Sequence, residues 1–435
     1  MLMFVLALAM AQAPAPLFAD RFGAPVEGEA VATLTASCER CDWEVEGREA
    51  ATVRVTIDGR YSQHVVLTRG EKPSQYRISL GHVTAGSHKM EVTLDARLSA
   101  KNIGRVTVPS VSVNVTAAGD EPGLAQSMAP FIYARPDTVG KFTDVPVLMW
   151  YEIVPVPQGR QFRYSVIFTN EDGGTSTDRL MATWGRTTDI EYIYGATLDA
   201  QGRLVAEEFQ GPNHEVPAFR GRHEAAHPLQ WVSTDNNMVS ESGPTDIRFA
   251  PAPEKVDLTN RSREVVMDTH PWIHELASKE MVREKKLNDD AVAGSGAIPD
   301  PRRFVFVEAC TELQNAAVAF AVHARDASGE VRWFDSDRGL PQFRIVRSGC
   351  FRGAVPLPRG TAEPDAVRFK AFTLPPKKDA PPASGPVSVV LTRVNRVFML
   401  DPSYLPGASI FEWNGTAPLA IDGPAVEMTI QKKSP

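Results

Sequence analysis

Two carboxylates in the middle of the chain have the spacing that acid–base or metal chemistry uses. Asp189 and Glu191 are two positions apart, so on a β-strand they lie on one face, about 7 Å from each other. With Arg186 close by, such a pair could bind Ca²⁺ together with loop oxygens, or divide the acid and base roles of a glycosidase. Every pair at this spacing on a strand has the same separation, and a salt-bridged surface is the simpler interpretation.

A second pattern, His223-Glu224-Ala225-Ala226-His227, matches the His-Glu-x-x-His signature. On a helix its two histidines share a face that can bind Zn²⁺, and its glutamate can activate a bound water molecule. Gly221 and Pro228 leave fewer than two helical turns around it, which favours a polar loop instead. A zinc site also needs a further ligand. The candidates on a later segment are His270, His274 and Glu275.

Turn-forming polar residues surround both patterns. Asn and Asp side chains hydrogen-bond their own backbone in turns, and the same groups can recognise sugar hydroxyls or phosphates. Trp184 and Trp231 could stack on a sugar, although packing in the core is the more common place for tryptophan in a strand-like segment. The candidate binding residues are Arg186, Asp189, Glu191, Asn213, His214, Asn236 and Asn237.

The segment Gly185-Arg186-Thr187-Thr188-Asp189-Ile190-Glu191 resembles the Gly-His-Arg-His-Asp-Trp-Glu heptapeptide of secreted necrosis-inducing proteins. Gly185, Asp189 and Glu191 match that motif, whereas neither of its histidines is present. Those proteins are β-sandwiches in which the motif lines a cation site. The resemblance therefore implies a β-sandwich with a cation near Asp189 and Glu191. The surrounding sequence is similar to exported bacterial β-sandwich proteins of unassigned activity.

The elements that position these residues are predicted to be mainly β-strands. Residues 28–117 alternate between apolar and polar positions, and Asp58-Gly59 separates two such runs as a hairpin turn. Repeated short strands at near-regular spacing, without helical periodicity, predict an immunoglobulin-like sandwich here.

Turn-rich segments at 118–129 and 288–301 predict linkers to two further β-rich domains, at 130–290 and 302–431. The central domain is expected to have long polar loops and one short helix near 270–286. Strands are predicted at 145–154, 162–169, 189–198, 229–233, 304–307, 317–324, 343–346 and 387–394. A strand over 189–198 would also place Ile190, Tyr192 and Tyr194 together on the face opposite the carboxylates.

Four cysteines suit an oxidising compartment. The simplest pairing joins Cys38 to Cys41 and Cys310 to Cys350, as two structural disulfides. A redox role for Cys38 and Cys41 would require a βαβ setting, which the neighbouring strands do not predict.

Residues 1–13 predict a secretory signal peptide, because an uncharged apolar run is followed by Ala11-Gln12-Ala13. The run has no basic residue before it, so the true start would lie upstream or the signal is weak. It is too short to span a bilayer, and no transmembrane anchor is expected. The predicted location is the periplasm or the exterior.

Composition and missing motifs argue against several function classes. The net charge of -7 comes with scattered Lys and Arg, against the basic footprint of a nucleic-acid-binding protein. Phosphate loops, dinucleotide fingerprints and nucleophile elbows are absent from the sequence, which disfavours nucleotide enzymes and serine hydrolases.

The sequence therefore predicts an exported, non-enzymatic binding or envelope-associated β-sandwich protein whose ligand is a glycan or a cation such as Ca²⁺ or Zn²⁺. One alternative is a metal-dependent hydrolase using His223, Glu224 and His227, or the pair Asp189 and Glu191. The other alternative is a purely structural envelope component.

Overall fold

The computed structural model describes residues 15–117, 119–171, 173–374 and 385–430, so the predicted signal peptide lies outside the described residues. The described residues form a mainly β fold with short helices, which confirms the predicted fold class. The sheets form three successive assemblies. We call them the first sandwich (residues 18–117), the central module (residues 121–283) and the C-terminal sandwich (residues 304–429).

The first sandwich packs a four-stranded sheet on a three-stranded sheet. Its strands are β1 (Phe18–Ala24), β2 (Gly28–Cys38), β3 (Thr52–Ile57), β4 (Arg60–Val66), β5 (Ser74–Val83), β6 (Gly86–Leu94) and β7 (Val106–Ala117). Successive side chains on a strand face opposite sides, so every second residue reaches the core. Ala32 and Leu34 of β2 meet Val53 and Val55 of β3 there.

The strand order of the first sandwich is β1-β6-β3-β4 in one sheet and β5-β2-β7 in the other. The inner strands pair as in an immunoglobulin domain, with β2 beside β5 and β3 beside β6. The end strands are exchanged relative to that domain, because β1 extends the sheet of β6 and β7 extends the sheet of β2. The sandwich is thus immunoglobulin-like at its centre and permuted at its edges.

The central module is built on a five-stranded sheet and a second sheet of short strands. Its strands are β8 (Phe131–Tyr133), β9 (Pro146–Val156), β10 (Gly159–Phe168), β11 (Asp189–Leu198), β12 (Leu204–Glu208), β13 (His223–Glu224), β14 (His227–Val232), β15 (Val239–Ser240), β16 (Arg248–Phe249) and β17 (Glu254–Lys255). The orders are β12-β11-β10-β9-β17 and β13-β14-β8-β16, with β15 paired to β14.

Helices cover the faces of the central module. They are α1 (Glu121–Ser127), α2 (Thr177–Trp184), α3 (Val265–Thr269) and α4 (Trp272–Arg283). The helix predicted near 270–286 is shorter than expected, since α4 begins after Pro271 and α3 precedes it as a separate helix. The pattern does not predict α1 and α2. Helix α1 lies within the expected linker 118–129, where the Asp120 side chain accepts a hydrogen bond from the backbone N–H of Gly123.

The five-stranded sheet is covered on both faces. On one face Tyr164 and Phe168 pack against Val232 of the second sheet. On the other face Ile167 and Ile190 pack against α3 and α4. This burial on both sides fixes the direction in which each β11 side chain points.

The C-terminal sandwich consists of two four-stranded sheets, ordered β21-β18-β23-β24 and β20-β19-β22-β25. The strands are β18 (Phe304–Gln314), β19 (Ala316–Arg325), β20 (Val331–Asp335), β21 (Gly349–Pro356), β22 (Ala366–Thr373), β23 (Ser388–Phe398), β24 (Phe411–Leu419) and β25 (Val426–Thr429). The predicted strand 343–346 is wrong. A 3₁₀ turn occupies Pro341–Phe343, and Ile345 makes a single bridge to Val318.

Both expected cysteine pairs are disulfide-bonded. Cys38 and Cys41 close a tight turn at the end of β2, and Cys310 and Cys350 face each other on β18 and β21. Among the described residues, none of the helices is long and apolar enough to cross a membrane.

The first sandwich is hydrogen-bonded to the central module along the edge of β5. The backbone N–H of Ser79 donates to the carbonyl of Ala250 over 2.8 Å, and the N–H of Ala252 donates to the carbonyl of Arg77 over 3.1 Å. The side chain of Gln63 accepts a further bond from the N–H of Ala250. The segment 250–252 therefore covers an edge strand that would otherwise be open for pairing.

A buried cluster of charges joins the central module to the C-terminal sandwich. Arg352 of β21 is fully buried, and its guanidinium pairs with Asp268 of α3 over 2.6 Å and with Glu308 of β18 over 2.9 Å. It also donates to the backbone carbonyl of Glu264 over 3.2 Å. Since a buried charge is stable only when paired, this cluster fixes α3 against the C-terminal sandwich.

Candidate functional site

A polar cavity of about 470 Å³ lies where the central module meets the C-terminal sandwich. Its walls are the loop after β10, helix α2, the start of β11, the loops after β12 and β14, and the segment before α3. Five of the predicted binding residues line it, although they come from three separate segments. They are Arg186, Asp189, Glu191, His214 and Asn236.

The start of β11 supplies two of the carboxylates in the cavity. Asp189 pairs with Phe168 of β10 and Glu191 pairs with Val166, so the two carboxylates lie on the same face of the sheet. Both carboxylates line the cavity, as their two-residue spacing on one face of the strand predicts.

A β-bulge changes the alternation further along β11. Ser165 and Tyr164 of β10 are adjacent, yet they pair with Tyr192 and Tyr194, which leaves Ile193 as an extra residue. Tyr194 therefore packs on the same side of the sheet as Tyr164, in the core opposite that of Ile190. The predicted common face of Ile190, Tyr192 and Tyr194 is wrong for Tyr194.

Asp189 is held rigidly at the base of the cavity. It is 1% exposed, pairs with Arg186 over 3.4 Å and accepts a hydrogen bond from the Asn237 side-chain amide over 3.0 Å. Arg186 is 4% exposed, and its Nε lies 3.6 Å from a carboxylate oxygen of Glu264. The buried Nε of Arg186 has no hydrogen-bond partner among the described residues. A buried polar atom in that state, on the wall of a cavity, is suited to a ligand.

Glu191 is oriented by a chain of side-chain contacts. Gln210 donates its amide to Glu191 over 3.1 Å and lies 3.2 Å from His214 Nδ1. Asn236 lies 3.4 Å from the other ring nitrogen of His214, and its side-chain oxygen accepts a bond from the Thr234 hydroxyl. The loops after β12 and after β14 therefore present amide and imidazole groups to the same space.

The carboxyl groups of the cavity differ in how readily they ionise. Burial raises the pKa of Glu191 well above its usual value, and the Asp189 carboxylate adds to the rise. Burial, followed by the same Asp189 carboxylate, raises the pKa of Glu171 to about 7, against the opposing effect of Arg186. Glu171 lies in the loop after β10, where one carboxylate oxygen accepts the N–H of Thr175 over 2.8 Å. At neutral pH the cavity therefore contains carboxyl groups that can donate a proton as well as accept one.

Four arginines line the same cavity, and they are Arg179, Arg186, Arg263 and Arg347. Arg347 belongs to the C-terminal sandwich, donates to the carbonyl of Thr183 over 2.6 Å and lies 5.0 Å from the ring centre of Trp184. Burial lowers the pKa of Arg347 to about 10, so the guanidinium remains charged at neutral pH. The stacking role predicted for Trp184 is taken by this arginine.

Two predicted binding residues lie outside the cavity lining. Asn237 is completely buried behind the cavity wall. Its side-chain amide donates hydrogen bonds to the Asp189 carboxylate and to the backbone carbonyl of Asn170, and so positions Asp189. Asn213 is exposed, and its backbone N–H donates to the carboxylate of Glu215 over 2.8 Å.

The segment 223–227 is a β-hairpin, with β13 and β14 joined through a turn in which Ala225 has a φ of 52°. The zinc hypothesis requires both imidazoles on one face of a helix, so the hairpin removes its premise. His223 lies 2.7 Å from Glu207. His227 points the other way, into the junction with the first sandwich.

His227 is 1% exposed and both of its ring nitrogens are occupied. Nε2 lies 2.9 Å from the Glu29 carboxylate, and Nδ1 lies 2.8 Å from the carbonyl of Ala129. Glu224 pairs with Arg248 over 2.7 Å.

The residues considered as a third zinc ligand also have other partners. His270 pairs with Glu254, His274 with Asp268, and Glu275 with Lys279. Among the described residues, no group of three or more His, Cys, Asp and Glu side chains is arranged to hold a metal ion. Within the described residues, neither the segment of His223 and His227 nor the pair Asp189 and Glu191 therefore belongs to such a group.

The backbone conformation and close packing at position 185 explain why a glycine is present there. It ends α2 with a φ of 58°, and a Cβ at this position would lie 2.7 Å from the Cγ of Arg352. The match of Gly185 to the necrosis-inducing heptapeptide is therefore accounted for by backbone geometry.

No protein-family model and no curated protein matches this chain.

Sequence reasoning does not single out four charged residues of the cavity. For Glu171 and Arg179 a signal exists, since both lie in or next to the polar run that precedes Arg186. For Arg263 and Arg347 none exists, because only the packing of α3 and of the C-terminal sandwich brings them to the cavity.

Proposed function

We propose that this chain is an exported binding protein whose central cavity holds a carbohydrate. The observation that carries the proposal is the convergence of amide, imidazole and carboxyl side chains from separate loops on one cavity of about 470 Å³. That volume is within the range of small-ligand sites. Gln210, His214 and Asn236 alternate donors and acceptors, which suits the hydroxyl groups of a sugar.

Export is supported by two independent features. Both cysteine pairs are bonded, which is typical of proteins that fold in an oxidising compartment. The apolar segment at residues 1–13 has the composition of a secretory signal peptide.

The test is a binding screen of the mature protein against soluble oligosaccharides, followed by calorimetry on each hit. Asn236→Ala removes a lining amide and is expected to weaken binding about tenfold, the effect of one ligand hydrogen bond of about 1.4 kcal/mol. Asn213→Ala is the matched control, because this asparagine lies in a neighbouring loop outside the cavity lining. Equal affinities of the two variants for every hit would contradict the proposed site.

A second candidate function is acid–base catalysis on the bound sugar. It is favoured by Glu191 and Glu171, two carboxyl groups of one cavity whose pKa values burial raises. A protonated Glu191 is suited to protonate a leaving oxygen, and an ionised Glu171 to accept a proton from water. Release of reducing ends from a bound oligosaccharide, lost in Glu191→Gln while binding is kept, would favour this candidate over a binding role alone.

A further inference from the structure

The arginines of the cavity do not all have partners within the protein. Arg186 pairs with Asp189, and Arg347 donates a hydrogen bond to the carbonyl of Thr183. Among the described residues, the buried Nε of Arg179 has no hydrogen-bond partner. Arg263 acts on the carboxyl groups of Glu191 and Glu152 through its charge, without a close ion pair to either.

The acidic groups of the cavity do not neutralise these two arginines. Asp189 is already bonded to Arg186 and Asn237. Burial raises the pKa of Glu171 to about 7 and raises the pKa of Glu191 well above its usual value, so both carboxyl groups hold a proton more readily than a free glutamate does. Even with Glu264, which pairs with Arg186 from outside the lining, four guanidinium charges face fewer than four full negative charges. The cavity is therefore cationic within a protein whose net charge is -7.

A cationic cavity in an acidic protein selects its ligand by charge. Guanidinium groups bind carboxylate and sulfate oxygens through paired, charge-assisted hydrogen bonds. The overall negative charge works against non-specific adhesion of polyanions elsewhere on the surface. Arg179 and Arg263 are half-buried, and an uncharged sugar would cover them without supplying a counter-charge, which costs binding free energy.

We infer that the carbohydrate is an acidic one, whose carboxylate or sulfate group is bound by Arg179 and Arg263. The two arginines come from α2 and from the segment before α3, so they approach the ligand from different walls of the cavity. Asn236, Gln210 and His214 are then left for the neutral hydroxyl groups. The inference rests on the proposed carbohydrate function and adds the class of its ligand.

The experiment compares three tetrasaccharides of equal length by calorimetry on the full mature chain. One is neutral (maltotetraose), one is carboxylated (tetragalacturonate) and one is a sulfated maltotetraose. We expect at least one anionic form to bind ten times or more tightly than the neutral form, and its affinity to fall as salt is added. The carboxylated and sulfated arms show which anion the arginines recognise.

Variants assign the preference to the two arginines. Arg179→Gln and Arg263→Gln are each expected to weaken binding of the anionic form fivefold or more and to leave the neutral form unchanged. Arg263→Lys keeps the charge without the paired donors, and is expected to lose part of the affinity while the thermal unfolding midpoint stays as in the wild type. Lys101→Gln is the control, because it removes one positive charge from an exposed site on the first sandwich.

The outcomes separate the two proposals. Equal binding of neutral and anionic forms, or wild-type affinity in both arginine variants, overturns the acidic ligand and leaves the carbohydrate function standing. Absence of binding by all three tetrasaccharides overturns the carbohydrate function, and the acidic ligand with it.

Discussion

At the scale of single residues, the cavity concentrates groups whose ionisation the fold has changed. Glu171 is the most accessible to experiment, because its pKa is raised to about 7 and it lies on a loop rather than in a sheet. A carboxyl group with a raised pKa binds its proton more tightly in the folded state than in the unfolded state. Its contribution therefore lowers stability as the pH rises from about 4.5 to about 7.

We predict that Glu171→Gln is more stable than the wild type at pH 7.5 by about 1–2 kcal/mol, and equally stable at pH 4. Glutamine keeps the acceptor that Thr175 uses and removes the charge that burial penalises. Urea unfolding of both proteins across this pH range measures the difference. A stability difference that does not change with pH would contradict the raised pKa.

A second residue-scale prediction concerns Arg352. Arg352→Met leaves the buried Glu308 without its counter-charge and leaves Asp268 with only Arg396 and His274 as partners. Burial raises the pKa of Asp268, but Arg352 and His274 outweigh burial and hold this pKa well below its usual value. We expect a loss of about 3–5 kcal/mol in the free energy of unfolding, measured with denaturant. Arg359→Met, at an exposed arginine of the same sandwich, is expected to cost less than about 0.5 kcal/mol.

At the scale of elements, the long alternating strands are the part that the sequence predicts well. Strands β9, β10, β11 and β14 lie close to their predicted ranges, because apolar alternation over many residues identifies a half-buried strand. Helix α2 is too short to show a period, and the bulge at Ile193 leaves no trace in composition. Both are determined by packing.

The candidate site, too, is predictable from the sequence in part. Asp189 and Glu191 were identifiable because strand spacing fixes their common face, and the loop residues His214 and Asn236 because of their turn chemistry. The His-Glu-x-x-His pattern does not have the helical setting in which its spacing brings two imidazoles together, because residues 223–227 form a hairpin.

The junction between β2 and β14 carries the element-scale prediction. Glu29 accepts from His227 over 2.9 Å and lies 3.2 Å from His82. Burial raises the pKa of Glu29, but the interactions with His227 and His82 together outweigh burial, and the pKa is lowered overall. The hydrogen bond with Glu27 outweighs burial and raises the pKa of His82.

Glu29 therefore stabilises the fold above its unfolded pKa of 4.5, and this contribution is lost as the pH falls. His82 stabilises the fold below its unfolded pKa of 6.5, and this contribution is lost as the pH rises. We predict that Glu29→Gln costs most between about pH 5 and 6.5, by about 2–3 kcal/mol in urea unfolding. Glu27→Gln, whose carboxylate is 68% exposed, makes the same charge change and is expected to cost little. A cost of Glu29→Gln that stays constant from pH 4 to 9 would argue against this network.

At the scale of the whole molecule, the two disulfides differ in the length of chain they close. Cys38 and Cys41 are 3 positions apart and Cys310 and Cys350 are 40 apart. Loop-closure entropy then predicts a loss of about 4 kcal/mol for Cys310→Ser with Cys350→Ser, and of about 2 kcal/mol for Cys38→Ser with Cys41→Ser. Chemical unfolding of the two double variants in parallel compares them. The reverse order would show that the Cys38–Cys41 turn stabilises more than its loop length implies.

The pairing of segment 250–252 with β5 has a consequence for the chain during its synthesis. A protein delivered from its N-terminus presents the first sandwich long before residue 250 is available. Until then the edge of β5 is an open template on which another chain can add a strand. We therefore expect slow synthesis of the central module to lengthen the period in which this edge can pair with another chain.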